Sequence, residues 1–288
     1  MKPDWTVRTD DGVTLGAKVT EAVGDPVANV LVLHAMMVDV RSLDRPPGAG
    51  LASTLAGAGF RVHRADFRGR GMSPFAGDWS YDDLVYRDVP ALVRGVAASA
   101  GVPEDAVWVV GHSLGGHVTA ASWATGSVRI RGLVGMGANV WMPSLEPSRR
   151  KRLAKRAGMA AMRASLRLFD RVAAKRVNMG PVDEAPGYGR DVLGFWTRDA
   201  WMDRSGRDWL AALRTLEGPF LSVVSEGDAL LASPAGARAW AEHAPGCEVW
   251  QLRDGDHGMS RAPGHMEMGV DGGSVALWEA IARWMKRS

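Results

Sequence analysis

The stretch Val107 to Ala121, VWVVGHSLGGHVTAA, constrains this chain more than any other. An unbroken apolar run, Val107 to Val110, passes into Gly111-His112-Ser113-Leu114-Gly115-Gly116 and then into helix-compatible residues. The pattern predicts a strand, a sharp turn and a helix, with a serine at the apex. Such a turn brings the backbones of strand and helix together and strains the serine, so small neighbours are required. Gly111 and Gly115 supply them. In a chain with 35 glycines the G-x-S-x-G letters alone are weak, and the elements around them carry the argument.

Those elements alternate. Trp5 to Thr9 and Thr14 to Val19 flank Asp10-Asp11-Gly12 and read as a hairpin. Val30 to Leu33 is a short buried strand that delivers His34-Ala35-Met36. Leu51 to Ala58 is a helix closed by Gly59, and Phe60 to Ala65 the next strand, followed by Asp66-Phe67-Arg68-Gly69-Arg70-Gly71-Met72-Ser73. Ser80 to Ala98 has helical spacing. After the elbow come a strand at Ile130 to Met136, a strand at Pro219 to Ser225, a helix at Pro234 to His243, a strand at Glu248 to Leu252 and a helix at Ser274 to Lys286. Eight strands alternating with helices predict an α/β fold, a mostly parallel eight-stranded sheet covered by helices on both faces. From about Trp141 to Leu216 the alternation stops. We therefore expect a core domain of residues 1–140 and 217–288 and a helical cap, or lid, of residues 141–216.

The start, MKPDWTVRTDDGVTLGAKV, lacks the apolar core of a secretion signal, and no run of about 18 apolar residues occurs. The expectation is a soluble, cytoplasmic protein with no transmembrane segment. The single Cys247 excludes an intrachain disulfide and a thiolate metal cluster, and its context GCEVWQL reads as a strand. No second histidine falls at ligand spacing near His257, so neither a metal nor another cofactor is expected. Net charge is +3, yet Ser148 to Arg176 holds eleven Lys or Arg against one acid, Asp170. A local balance of +10 leaves the remainder near −7, which gives no reason to expect nucleic-acid binding.

A serine hydroxyl needs a base to take its proton and a group to hold that base. With a strand-elbow-helix serine the expected chain order is Ser, acid, His. Three histidines follow the returning strand: His243 at a helix end, His257 in Arg253-Asp254-Gly255-Asp256-His257-Gly258-Met259, and His265 further into a loop. His257 stands just past the carboxyl end of a strand, where a parallel sheet places catalytic groups, and is the expected base. The acid should lie in Ser225-Glu226-Gly227-Asp228, with Asp228 preferred over Glu226. Asp254 and Asp256 read as turn formers. Two amides should hold the oxyanion: that of Leu114, next to the nucleophile, and that of Met36, with Ala35 as the fallback. His112, His117 and His34 are read as packing or bracing residues, and Asp66 and Arg68 as links that tie their loop.

These residues resemble the α/β-hydrolase superfamily of serine hydrolases. The matches are Gly111-His-Ser-Leu-Gly115, Asp66-x-Arg-Gly-x-Gly-x-Ser73, Gly227-Asp228 and Asp256-His257-Gly258, in the family's order over residues 5 to 287. The resemblance is closest to the esterase, lipase and monoacylglycerol-lipase-like members with an inserted lid. One departure is His34-Ala35-Met36-Met37, where many relatives have His-Gly. The resemblance implies hydrolysis of carboxylic esters of small to medium size through an acyl-enzyme on Ser113. An acyltransferase, thioesterase, amidase or carbon–carbon bond hydrolase with the same triad, and a non-catalytic binding protein on this fold, are the alternatives.

In the insertion, Met159, Met162, Leu166, Phe169 and Ala173 recur in steps of three and four, and Arg156, Arg163, Arg167, Arg171 and Lys175 in steps of seven and four. A helix with one apolar and one basic face is predicted. Its apolar face should cover the active-site mouth, and its arginines are either simply solvated or in weak contact with anionic surfaces. Trp141, Met142, Trp196 and Trp201, with Met259 beside the expected base, are candidates for an apolar acyl pocket.

Overall fold

The computed structural model describes all 288 residues. Eight strands form one sheet: β1 (Trp5–Arg8), β2 (Thr14–Thr20), β3 (Ala28–Leu33), β4 (Phe60–Ala65), β5 (Val107–His112), β6 (Gly132–Met136), β7 (Phe220–Ser225) and β8 (Cys247–Leu252). Their order across the sheet is β1-β2-β4-β3-β5-β6-β7-β8. The β1–β2 and β2–β4 pairs are antiparallel, and every pair from β4 through β8 is parallel. Chain progression reverses beside β3, and a sheet of this kind offers its ligand crevice beyond the carboxyl ends of the strands flanking such a point.

Helices cover both faces: α1 (Leu51–Gly57), the single turn α2 (Tyr81–Asp83), α3 (Val89–Ala100), α4 (Leu114–Ala124), α5 (Arg149–Phe169), α6 (Pro186–Arg198), α7 (Trp209–Ala212), α8 (Pro234–Ala241), α9 (Glu267–Val270) and α10 (Val275–Arg287). The side-chain period of two in a strand divides the core. On one face, Leu31 and Leu33 of β3 share a core with Leu92 and Val96 of α3 and Val118 of α4. On the other, Val30 and Val32 join Leu55 of α1 and Trp278 and Ile281 of α10. The helix expected over Ser80 to Ala98 contains a π-turn at Leu84–Asp88. Cys247 opens β8, and burial pushes its thiol up to about 12. No helix is long and apolar enough to cross a membrane.

Between β6 and β7 the chain leaves the sheet and forms α5, α6 and α7. Helix α5 ends at Phe169, because Asp170 adopts a left-handed conformation (φ 48°) and closes it. Ala173, Arg171 and Lys175, expected on the same helix, therefore lie beyond it. Met159 and Met162 are buried as expected, against Met37, Val172 and Leu193. The same buried stripe also carries Lys155, whose ammonium lies 2.9 Å from Glu146 Oε2.

Candidate active site

Ser113 stands between β5 and α4 with φ 50° and ψ −108°, a conformation that a non-glycine residue adopts only under constraint. The constraint is close packing. A Cβ on Gly111 would lie 2.3 Å from the Gly115 carbonyl carbon, and one on Gly115 would lie 2.6 Å from the Leu33 carbonyl oxygen. Two glycines at these positions are thus a steric requirement of the turn. The Ser113 amide is held by the Met136 carbonyl at 2.8 Å.

The imidazole that faces Ser113 belongs to His265. Its Nε2 lies 3.0 Å from Ser113 Oγ, and its Nδ1 lies 2.5 Å from Asp228 Oδ2. Asp228 occupies the position expected of the acid. Its backbone amide turns back to the Ser225 carbonyl, and its Oδ2 also accepts from the Ala232 amide at 3.0 Å. Burial acts to raise the Asp228 carboxyl, but the hydrogen bond and charge of His265 with the Ala232 and Leu231 amides outweigh it and hold the group below the usual carboxylate range.

The expectation of His257 as the base is corrected. His257 is exposed and lies against Trp250, their ring centroids 5.0 Å apart. The reason lies in the sheet order. β8 is the edge strand, three places from β5, and at about 4.8 Å per strand its end is roughly 14 Å from the serine. The loop first folds into an outward turn, Gly255 N–H to Met259 carbonyl, with Asp254 accepting the Ala262 amide. It then returns across β7, where Ser225 Oγ donates to the Pro263 carbonyl at 2.6 Å. Gly227 permits that return, since a Cβ there would lie 2.3 Å from the Ala262 carbonyl. Asp254 and Asp256 act as turn residues, and Glu226 pairs on the surface with Arg253 at 3.0 Å. The signal for His265 was the Pro263-Gly264 pair just before it, a second turn able to bring a histidine back over the sheet.

His112 and His34 brace the site. His112 Nε2 donates to the His265 carbonyl at 2.9 Å. His34 Nδ1 donates to the Ala35 carbonyl at 2.8 Å, and its Nε2 accepts the Phe67 amide. Burial lowers both imidazoles to about 3, so both remain neutral at neutral pH. His117 bonds Tyr81 Oη at 2.6 Å. Asp66 holds the Val40 and Met72 amides, and Arg68 pairs with Asp88 and Asp11.

Two amides near Ser113 are free. Leu114 opens α4, where a helix gives its own N–H no partner. The Met36 amide has no acceptor in the protein. The next residue, Met37, has φ 62°, and its amide donates to Glu184 Oε1 at 2.5 Å. Glu184 comes from the insertion, and its other oxygen meets Arg70 at 2.5 Å, both side chains being fully buried. Sequence reasoning missed this pair, because Glu184 lies 114 residues from Arg70 in a segment without regular alternation.

Of the five pocket candidates, Trp141 and Trp196 pack, as Met36 does, against the cluster of Met37, Met159 and Met162. The other three are corrected. Trp201 is fully buried against Trp209 and Trp240 and donates to Tyr81 Oη. Met142 packs in that same large core, and Met259 on the opposite face of the sheet with Leu252 and Met268. Indole and thioether groups fill those cores.

The site geometry can be set beside known proteins. No curated protein matches the chain by sequence. Among solved structures, an esterase from Pyrococcus furiosus superposes with TM-score 0.65 at 16% identity, covering 100% of this chain and 91% of that one. A monoacylglycerol lipase from Paleococcus ferrophilus gives 0.61 at 17% identity, with 95% and 98% covered. The esterase RhEst1 from Rhodococcus sp. ECU1013 gives 0.59 at 19%, with 99% and 98% covered. At these identities the likeness shows the fold alone, and it is the α/β-hydrolase fold. The family model described as serine aminopeptidase, S33, matches residues 24–257, most of the chain, and the protein therefore belongs to this family of α/β-hydrolases.

Proposed function

We propose that the chain is a serine hydrolase that cleaves carboxylic esters of small to medium size through an acyl-enzyme on Ser113, with His265 as the base. The observation that carries the reading is the continuous relay from Ser113 Oγ through both nitrogens of His265 to Asp228, at 3.0 and 2.5 Å. In it, His265 takes the hydroxyl proton as Ser113 Oγ attacks the carbonyl carbon. The carbonyl electron pair moves onto oxygen, which accepts from the Leu114 and Met36 amides. Collapse expels the alcohol, which receives the proton from His265. Water, deprotonated by His265, then attacks the acyl carbon, and a second collapse releases the acid and returns the proton to Ser113. Asp228 holds Nδ1–H and stabilises the imidazolium without taking its proton.

The proposal includes the division into a catalytic core, residues 1–140 and 217–288, and a cap, residues 141–216. Trp141 and Trp196, which pack against the same Met37 cluster as Met36, are the residues of that cap best placed for an acyl chain. The names of the structural neighbours, esterases and a monoacylglycerol lipase, support ester hydrolysis. The family's description favours a second reading, removal of amino-terminal residues from peptides.

A panel of p-nitrophenyl esters of graded chain length, run beside aminoacyl p-nitroanilides, separates the two. Ester turnover should exceed anilide turnover, and Ser113→Ala and His265→Ala should each lower it by about 10⁴. His257→Ala should stay within about twofold, as expected for an exposed residue remote from the chemistry. Retained turnover in Ser113→Ala would overturn the assignment of the nucleophile, and a wild type that turns over neither substrate and is not labelled at Ser113 by a fluorophosphonate would return the chain to the binding-protein alternative.

A further inference from the structure

Helix α5 presents three faces. At about 100° per residue, Lys155, Met159, Met162 and Leu166 fall on one side, the one turned toward Met37 and Leu193. Directly opposite, Leu153, Ala157, Ala160, Ala161, Ala164 and Leu168 form a second apolar stripe, and every one of them is exposed. Leu153 is 68% and Leu168 74% exposed. Arg149, Arg156, Arg163 and Arg167 line one border of that stripe, and none of the four makes an ion pair. Of the ten large apolar side chains exposed on the whole molecule, five lie between residues 153 and 179: Leu153, Leu168, Phe169, Val177 and Met179.

We propose that this outer face of α5 docks the protein on an anionic lipid bilayer. Alanine and leucine favour a helix in any setting, but the outward leucines Leu153 and Leu168 gain burial only when the helix lies in a membrane interface, which also sets the flanking cationic side chains among the headgroups. Charge selects this occupant over a second copy of the chain. The segment Ser148 to Arg176 carries a balance of +10, so two such faces repel, while an anionic surface attracts each nearby Lys or Arg. Docking leaves the inner face of α5 on Met37, one helix diameter, about 10 Å, from the bilayer surface. The inference is independent of the chemistry at Ser113.

The test is cosedimentation of the full chain with phosphatidylcholine vesicles containing about 30% phosphatidylglycerol and with vesicles of phosphatidylcholine alone. The wild type should bind the anionic vesicles at low salt, be released at about 0.5 M NaCl, and leave the neutral vesicles unbound. Arg156→Gln/Arg163→Gln/Arg167→Gln should weaken binding by about a hundredfold, at about one decade or less per charge. Leu153→Glu/Leu168→Glu should weaken it more than about tenfold. Leu153→Ala/Leu168→Ala, which keeps helix propensity, repeats the loss should the glutamates unfold the chain, and thermal melts identify folded variants. The proposal is overturned if the wild type fails to bind the anionic vesicles, or if the folded variants bind as it does. It is also overturned if sedimentation without lipid shows a dimer that the leucine substitutions dissolve.

Discussion

The ring of His112 and the backbone of His265 are joined by one hydrogen bond, Nε2–H to carbonyl oxygen at 2.9 Å, with the two imidazoles 5.4 Å apart. The residue before the nucleophile thus holds the residue after the second turn of the return loop. His112 Nδ1 is buried and has no partner, which leaves the bond to His265 as the side chain's whole polar role. His112→Phe keeps a flat ring and removes the donor. The half-buried His265 carbonyl then loses its donor, at a cost of about 1 kcal/mol in stability. With the base free to shift, kcat should fall about 10- to 100-fold with KM little changed. Steady-state kinetics and a thermal melt on the same preparation check this, and a kcat within about twofold of wild type would remove the positioning role.

Arg70 and Glu184 form a fully buried pair that connects the loop after β4 to the insertion. Arg70→Met strands a carboxylate that also holds the Met37 amide. Breaking a buried pair from one side costs about 3 to 5 kcal/mol, while replacing both partners with apolar groups is far milder. Denaturant unfolding should therefore find Arg70→Met/Glu184→Leu more stable than Arg70→Met alone. Activity should part from stability in the double variant. It restores packing, yet it leaves the Met37 amide without its acceptor and the oxyanion loop less well fixed.

Buried histidines set the acid limit. Burial lowers His34, His112 and His117 to about 3 and His63 to about 4, against 6.5 in the unfolded chain. Between those values the unfolded state binds more protons, so stability rises with pH and is lost as pH falls from 6.5 toward 3. Asp66, Asp82 and Asp88 act in the opposite sense, since burial raises each from 3.8 to about 6 and the folded state takes up the proton first between those values. Melting temperature should therefore decline gently from about pH 6.5 to 4, where the two effects oppose, and steeply below 4, where the histidines act unopposed by these carboxylates and are joined by Asp39, Glu146, Asp203 and Asp228, whose partners hold them below the usual range. A melting temperature that is flat from neutral pH down to pH 3 would contradict the assignment of neutral, buried imidazoles.

The sheet and the sharp turn at Ser113 were legible because each rests on local pattern. The run Val107 to Val110 followed by Gly111 and Gly115 has one geometric solution, and the structure adopts it. Asp228 was legible for a related reason, since it follows β7 by a single turn. His257 misled because strand-end reasoning treats every loop alike. At the edge strand β8 the chain needs more residues to travel back to β5, and His265 is reached only after a surface turn and Pro263-Gly264. Trp201 and Met259 misled because an aromatic or soft residue in a sequence does not reveal which of two cores it fills. Lys155 and Glu184 were unreadable, for their value depends on partners placed by the fold and far away in sequence.

Lys155 joins the insertion to the loop that carries Asp228, the proposed acid. Its ammonium lies 2.9 Å from Glu146 Oε2, which also accepts Ser233 Oγ at 2.5 Å. The next residue back, Ala232, gives its amide to Asp228. Trp141 spans the same ground, its ring 5.5 Å from the Lys155 ammonium and its Nε1 donating to the Leu231 carbonyl at 2.7 Å. Lys155→Met leaves the Glu146 carboxylate buried with only Ser233 and the Ser148 amide, so a loss of about 3 to 5 kcal/mol is expected on denaturant unfolding. Adding Glu146→Gln to Lys155→Met removes the stranded charge and should recover a large part of that loss. Ser233→Ala tests the connection to the acid more gently, because it removes one hydrogen bond and keeps the ion pair. If the Ala232–Ser233 backbone holds Asp228, Ser233→Ala should lower kcat several-fold while stability falls by only about 1 kcal/mol. If kcat follows stability in both variants, the network supports the insertion alone and leaves the acid's position to its own turn.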